Sequence, residues 1–189
     1  MKRYHLLLCF LLFVFSSFAQ EWERVETDMF FIEIPENWAS KQGNNTPRVV
    51  DVKSRDFRQY SIHWSSPESE SPSTWAKAMS LSVESYTGLN DSVLPFSVIE
   101  DMAVATPAKV LSTQRKETGK GKVRLTILQE DKEISMGKIK RHNQYRYVLL
   151  LQNKDFVHVV TVSARENYLK EEADKLKEIE HILKSFEVK

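Results

Sequence analysis

The chain has 189 residues, a formal net charge of +1 and 41% hydrophobic residues, which is typical of a folded globular protein rather than a disordered one. Its 27 basic and 26 acidic residues are balanced, and this excludes the strongly basic kind of domain that binds nucleic acid. A single cysteine, Cys9, excludes an internal disulfide framework.

Residues 1–19 have the pattern of a secretory signal peptide. Lys2 and Arg3 form a basic start, residues 6–15 are an uncharged apolar run, and small residues precede a cleavage point before Gln20. We therefore expect a bacterial protein that is periplasmic or secreted. Cleavage would remove Cys9, and with it thiol chemistry and a lipid anchor. It would also change the net charge from +1 to about −1.

The remaining sequence predicts an acidic lead-in at residues 20–28 and one domain at residues 29–189. No apolar run after the signal approaches the length of a bilayer-spanning helix, so we expect no membrane span. The first predicted strand is residues 29–34, which Pro35 ends, and two short strands follow at 49–53 and 60–64.

A helix is predicted next, with Ser71 as its cap and Pro72 in its first turn. Its apolar residues Trp75, Met79 and Tyr86 recur at helical spacing, and Gly88 would end it. Five strands follow at residues 96–99, 108–114, 123–129, 145–152 and 156–163, joined by turn sequences such as residues 118–122. Residues 156–163 are apolar or small on both faces, which predicts a central strand.

The chain is predicted to end in one amphipathic helix whose apolar stripe includes Leu169, Leu176, Ile179 and Leu183, after which Phe186 would close the core. The order of elements indicates an α+β single domain with a mainly antiparallel sheet.

Two segments resemble the Mog1/PsbP-like superfamily. They are a strand followed by Pro35-Glu36-Asn37-Trp38, and a closing helix that ends Ile182-Leu183-Lys184-Ser185-Phe186, preceded by the hairpin at residues 145–163. The resemblance implies an α/β/α sandwich, in which helices cover both faces of one antiparallel sheet. It also implies partner binding rather than a shared catalytic site. It assigns no site residue, and Asn37 stands where such proteins often have glycine.

Candidate catalytic and metal-binding residues are few. His63, His142, His158 and His181 have no helical metal-site spacing, and no nucleophile-elbow or phosphate-loop motif occurs. His63 and His158 both lie in predicted strands. If they were neighbours across the sheet, they could form a metal or proton-switching pair, whereas the alternative is two structural histidines. The sequence identifies no catalytic residue and no cofactor, and it leaves a metal site open.

Basic residues in the middle of the chain are the clearest candidates for binding. They predict a basic face made of Arg115, Lys120, Lys122, Arg124, Lys138, Lys140, Arg141 and Arg146. Solvated strand edges protected by lysine are the alternative.

The leading hypothesis is therefore an exported, non-catalytic binding or accessory protein of the cell envelope. Its partner would be another protein or an anionic envelope component, not nucleic acid. Two alternatives stay open. One is a small hydrolase or metal-dependent enzyme with dispersed site residues, and the other is a lipid or small-molecule carrier with a cavity between sheet and helix.

Overall fold

The computed structural model describes residues 20–41, 47–51, 56–70, 75–89, 95–104, 108–135 and 138–189. The predicted signal peptide lies outside these ranges. The strands are β1 (Trp22–Glu26), β2 (Phe30–Pro35), β3 (Ala39–Lys41), β4 (Arg48–Asp51), β5 (Asp56–Ser65), β6 (Met79–Gly88), β7 (Lys109–Gly119), β8 (Lys122–Ser135), β9 (Lys138–Gln152), β10 (Val157–Arg165) and β11 (Glu187–Val188). The helices are α1 (Phe96–Val104), α2 (Glu166–Glu171) and α3 (Asp174–Ser185), with 3₁₀ turns at Pro67–Glu70 and Trp75–Lys77.

The main sheet has the order β3-β5-β6-β10-β9-β8-β7, with β4 also paired to β5. Its pairs are antiparallel, as the short turn sequences predict. Strand β10 lies in the interior, where Val160 is opposite Val83 on β6 and Leu149 on β9. Its side chains are almost all buried, which confirms the prediction of a central strand at residues 156–163.

The two faces of the main sheet carry different side chains because successive residues of a strand point to opposite sides. We call face A the side that carries Val83, Val160 and Leu149. Helix α3 and a second antiparallel sheet, β1-β2-β11, pack against this face. Together they bury a core of Phe30, Ile32, Ile34, Ile179, Ile182, Leu183 and Phe186.

Face B is the opposite side, which carries Val159, Leu150 and Val123. Helix α1 packs here through Ile99 and Ala103. The predicted α+β class, with helices on both faces of a mainly antiparallel sheet, is therefore confirmed. Across the described ranges, no helix is long and apolar enough to cross a bilayer.

The helix predicted to begin at Ser71 and end at Gly88 is wrong, because residues 79–88 form strand β6; residues 71–74 lie outside the described ranges. Met79, Leu81, Val83 and Ser85 are buried at every second position, which is the period of a strand. Both edges of β6 are occupied, by β5 and by β10. The two ladders of hydrogen bonds stabilise the strand although Met79, Val83 and Tyr86 also fit a helical spacing.

The strand predicted at residues 96–99 is also wrong, because these residues begin helix α1. Ile99 and Ala103 are buried four residues apart, as on one side of a helix. A four-residue apolar window does not distinguish the two kinds of structure.

The predicted closing helix is divided into α2 and α3 by a break at residues 172–173. Leu169, Ile179 and Leu183 are buried as predicted, and so is Phe186, but Leu176 is 39% exposed. The acidic lead-in contains strand β1, which the sequence analysis does not predict. Pairing with β2 places Trp22 and Val25 of β1 against the core on face A.

We expect the two leucines of α3 to differ in their contribution to stability. Leu183 is 2% exposed and Leu176 is 39% exposed. Leu183→Ala should lower the free energy of unfolding by about 2–4 kcal/mol, because it leaves a cavity in the core. Leu176→Ala should lower it by less than about 1 kcal/mol. Urea unfolding followed by circular dichroism measures both, and equal losses would contradict the burial of Leu183.

Candidate functional site

The predicted basic residues lie on both faces of the main sheet and at its ends. Arg124 is on face A, where it donates to Glu180 of α3 at 2.9 Å. Arg115 is on face B, where it donates to Glu100 of α1 at 2.5 Å and to Glu117 at 2.9 Å. These hydrogen bonds raise the pKa of the Arg115 guanidinium.

The other predicted basic residues lie near strand ends. Lys120 and Lys122 are at the turn between β7 and β8, and Lys140 is exposed near the start of β9. Arg141 lies 3.8 Å from Glu130. The side chain of Lys138 lies outside the described part of the chain. The structure does not bring the eight residues onto one surface, and their role in binding stays a prediction.

Arg146 differs from the other arginines of this group because its guanidinium is partly buried and forms no hydrogen bond to any described residue. Burial is the largest influence on its pKa and lowers it, while the carboxylates of Glu84 and Asp131 partly offset this effect. Both carboxylates are already engaged elsewhere. Glu84 accepts a hydrogen bond from the Tyr86 hydroxyl at 2.5 Å, and Asp131 accepts one from Gln129 at 3.1 Å.

A row of serine hydroxyls leads to Arg146 across face B. The register places Ser65 of β5 opposite Ser80 of β6, Ser80 opposite Ser163 of β10, and Ser163 opposite Arg146 of β9. Residues directly opposite each other on neighbouring strands share a face, with Cβ atoms about 5 Å apart. The row therefore combines three hydroxyl groups with one guanidinium on four adjacent strands.

A cleft of about 400 Å³ opens along the three serines of this row, and Arg146 lies next to it, opposite Ser163, rather than among its lining residues. We call it the polar cleft; its lining residues are Ser65, Ser69, Ala78, Met79, Ser80, Asp131, Lys132, His142, Gln144, Ser163 and Arg165. One wall is fixed by backbone contacts, because Ser66 Oγ accepts from the amide of Met79 at 3.0 Å and the Ser66 amide donates to the Met79 carbonyl at 3.0 Å.

In and beside the polar cleft there are buried polar atoms that have no hydrogen-bond partner among the described residues. The hydroxyl of Ser65, a residue only 5% exposed, is one of them. Gln129 donates to Asp131 and, at 3.2 Å, to Gln144, but its own Oε1 atom is buried and unpartnered. Such atoms are uncommon in folded proteins because leaving them unsatisfied costs free energy. A polar ligand in the cleft could satisfy the hydroxyl of Ser65, which lines it.

The serine row could not be found from the sequence. Ser80 falls in the segment that the spacing of apolar residues predicts as a helix, so it cannot be placed opposite Ser163. Serine is also common in loops and turns, and nothing in the local sequence separates these three from the rest. Only Arg146 is among the predicted binding residues.

The histidines do not converge. His63 is exposed on face B, and His158 is completely buried on face A, so they are not neighbours. His142 lines the polar cleft opposite Asp131. His181 lies 2.6 Å from Glu33 and stacks on Trp22. Within the described ranges, no group of three or more His, Cys, Asp or Glu residues could hold a metal ion.

His158 is surrounded by aromatic side chains. Its ring stacks on Phe156 and contacts Phe30 and Phe186 edge-on. Its Nδ1 atom is 2.8 Å from the hydroxyl of Ser85, while its Nε2 atom is buried and unpartnered. Burial lowers the pKa of His158 to about 4, which keeps the ring neutral at neutral pH.

Comparison with known proteins finds no matching protein-family model and no matching curated protein. Among solved structures, the solution structure of PsbP (CyanoP) from the cyanobacterium Synechocystis sp. PCC 6803 matches with a TM-score of 0.48 and 11% identity, over 92% of this chain and 96% of that one. The Ran-binding protein Mog1p of Saccharomyces cerevisiae matches with a TM-score of 0.46 and 13% identity, over 90% of this chain and 96% of that one.

Both structural neighbours bear the names of the superfamily that the sequence resembles. At these TM-scores the likeness carries no argument about function. The α+β class rests on the strands and helices of the chain itself, and the candidate site rests on Arg146 and the polar cleft.

Acidification should destabilise the protein through His158. Between its folded pKa of about 4 and its ordinary pKa of 6.5, the unfolded chain binds a proton that the folded chain does not bind. Stability from the neutral ring is therefore fully present above about pH 6.5 and decreases as the pH falls towards 4, by about 3 kcal/mol in total. Urea unfolding at a series of pH values measures it.

The matched variant is His158→Gln, which should lose this part of the pH dependence, with His63→Gln as the control for removal of an exposed histidine. An equal pH dependence in the wild type and His158→Gln would contradict the assignment.

Proposed function

We propose that the chain is an exported, non-catalytic binding protein of the cell envelope that recognises an anionic group at Arg146, while the polar cleft beside this residue holds the other polar groups of the ligand. The observation that carries the proposal is the partly buried Arg146 guanidinium, which has no hydrogen-bond partner among the described residues. The pattern of residues 1–19 supports export.

An anionic ligand would compensate for the free-energy cost of a partly buried guanidinium that has no partner in the sheet. Removing a charged group from water is costly unless a partner compensates. Carboxylates and phosphates bind arginine through two parallel hydrogen bonds, which are stronger than hydrogen bonds between neutral groups. Glu84 and Asp131 attract the guanidinium without bonding to it, so its donors remain available.

The surrounding residues suit a ligand that carries hydroxyl or other polar groups beside its charge. Ser65, Ser80 and Ser163 continue from Arg146 across three further strands, and Gln144 lines the same cleft. Serine and glutamine side chains can both donate and accept hydrogen bonds. An anionic polymer of the envelope, such as an acidic polysaccharide, offers this combination of groups.

The placement of the histidines supports binding over catalysis. His158 and His63 lie on opposite faces, and only His142 lies in the polar cleft. A hydrolase would need a nucleophile and a base within hydrogen-bond reach of each other. The Ser85–His158 contact has this distance, but both side chains are buried, and no carboxylate of the described residues holds the other ring nitrogen.

Glucuronate and glucose are suitable probes because they differ mainly in one carboxylate. We expect glucuronate to shift the amide resonances of Ser80, Gln144 and Ser163 in a titration at constant ionic strength, and glucose to bind more weakly. Arg146→Gln should weaken glucuronate binding about tenfold or more, because it removes a charge-assisted hydrogen bond. Arg146→Lys should weaken it less.

Arg141→Gln is the matched control, since it removes the same charge from face A at an exposed position. It should leave binding unchanged. Equal weakening by Arg141→Gln and Arg146→Gln would show nonspecific attraction, and glucuronate shifts that avoid the polar cleft would overturn the proposal. Urea unfolding of Arg146→Gln establishes that the variant is folded.

A further inference from the structure

A second cleft, of about 500 Å³, opens on face A between the two sheets. We call it the aromatic cleft; its lining residues are Glu26, Thr27, Asp28, Met29, Phe30, Tyr60, Ser61, Ile62, Val83 and Phe156. This volume is in the range of small-molecule sites. The cleft is separate from the polar cleft, which lies on face B.

The walls of the aromatic cleft are apolar and only partly covered. Phe30 and Val83 are fully buried at its base, while Tyr60, Ile62 and Phe156 are half-buried. Tyr60 and Phe156 meet edge to face, with ring centroids 6.3 Å apart. An apolar ligand would therefore remove from water aromatic surface that the fold leaves partly exposed.

The turn between β1 and β2 holds one wall in place. Thr27 Oγ1 accepts hydrogen bonds from the amides of Met29 and Phe30, at 3.2 and 3.0 Å. The Thr27 amide donates to the Phe30 carbonyl at 3.0 Å, and the Lys189 amide donates to the Met29 carbonyl at 3.1 Å. This wall is thus formed before any ligand binds, which reduces the entropy cost of binding.

The charged residues that line the aromatic cleft are both acidic. Glu26 and Asp28 are exposed carboxylates, and no Lys, Arg or His is among the lining residues above. Lys189 forms an ion pair with Glu26 at 2.8 Å, so the Glu26 carboxylate is already engaged. The Asp28 carboxylate has no hydrogen bond or ion pair within the described residues. His158, behind Phe156 and Phe30, is neutral at neutral pH and does not repel a cation.

Aromatic faces beside carboxylates are the surroundings that favour organic ammonium ions. We propose that the aromatic cleft binds a small organic cation, with its apolar body against Tyr60, Ile62 and Phe156 and its ammonium group at Asp28. This is a binding site beyond the anion recognition proposed above, and it is independent of Arg146.

The test compares 2-phenylethylammonium with 2-phenylethanol, a neutral probe of similar shape. In titrations of the full protein followed by amide resonances, both should shift Thr27, Ile62 and Phe156. The ammonium should bind about threefold to fivefold more tightly, as expected for exposed ion pairs and cation–π contacts. Asp28→Asn should remove most of this preference and leave the dissociation constant of 2-phenylethanol unchanged.

Asp174→Asn is the matched control because it makes the same change at an exposed position on α3, outside the aromatic cleft. Tyr60→Ser should weaken both probes, and urea unfolding establishes that this variant is folded. Three results would overturn the proposal: no binding of either probe at millimolar concentration, shifts located outside the aromatic cleft, or equal affinities that Asp28→Asn does not change.

Discussion

The register of β10 against β6 and β9 is the constraint on which the rest of the structure depends. It places Val160 between Val83 and Leu149 on face A and Val159 next to Leu150 on face B. Because side chains alternate along a strand, a shift of one residue would turn each of these residues to the opposite face. The same register forms the serine row on face B and brings His158 opposite Ser85 on face A. The pairing register of β10 therefore determines both the packing of the core and the residues that meet at the candidate sites.

The two faces differ in what covers them, and this difference produces the two clefts. On face A, the small sheet and α3 bury the centre but leave Tyr60 and Phe156 partly exposed beside the β1–β2 turn. On face B, α1 packs against the apolar residues of β8, β9 and β10, and the serine row lies beyond its contacts. Each cleft therefore lies at the edge of the elements that cover its face of the main sheet. The strand residues left uncovered there determine which chemical groups the cleft offers to a ligand.

Strands and helices were predicted correctly where the spacing of apolar residues fits only one kind of structure. The prediction was wrong where the same spacing fits both a helix and a strand. Residues 156–163, which include most of β10, are apolar or small on both faces, so the central place of this strand could be predicted without knowledge of its neighbours. In β6 the spacing of Met79, Val83 and Tyr86 also fits a helix, and only pairing with β5 and β10 decides between the two structures. The strand predicted at residues 96–99, where helix α1 begins, was wrong for a different reason. The apolar stretch there is too short to show the period of either a helix or a strand.

The candidate site was only partly predictable for a similar reason. Charge alone places Arg146 in the same group as Arg115 and Arg124. What separates them is that Glu100 of α1 and Glu180 of α3 supply carboxylates to the other two, and only the fold brings these helices to the strands that carry the arginines. A side chain's lack of a partner is a property of the fold, so no local sequence signal could identify Arg146. The serines beside it depend on register in the same way.

The chain has a net charge near zero, but its two clefts offer a ligand different charged groups. Face B presents the Arg146 guanidinium beside the polar cleft, and the mouth of the aromatic cleft on face A presents the Asp28 carboxylate. The hydrogen-bond ladders of β5, β6, β9 and β10 hold both faces in fixed relation, and the residues proposed to contact the two ligands share no side-chain partner. Sites without shared partners contribute additively to a first approximation. The two clefts are therefore expected to bind independently, so that occupation of one does not require a conformational change at the other.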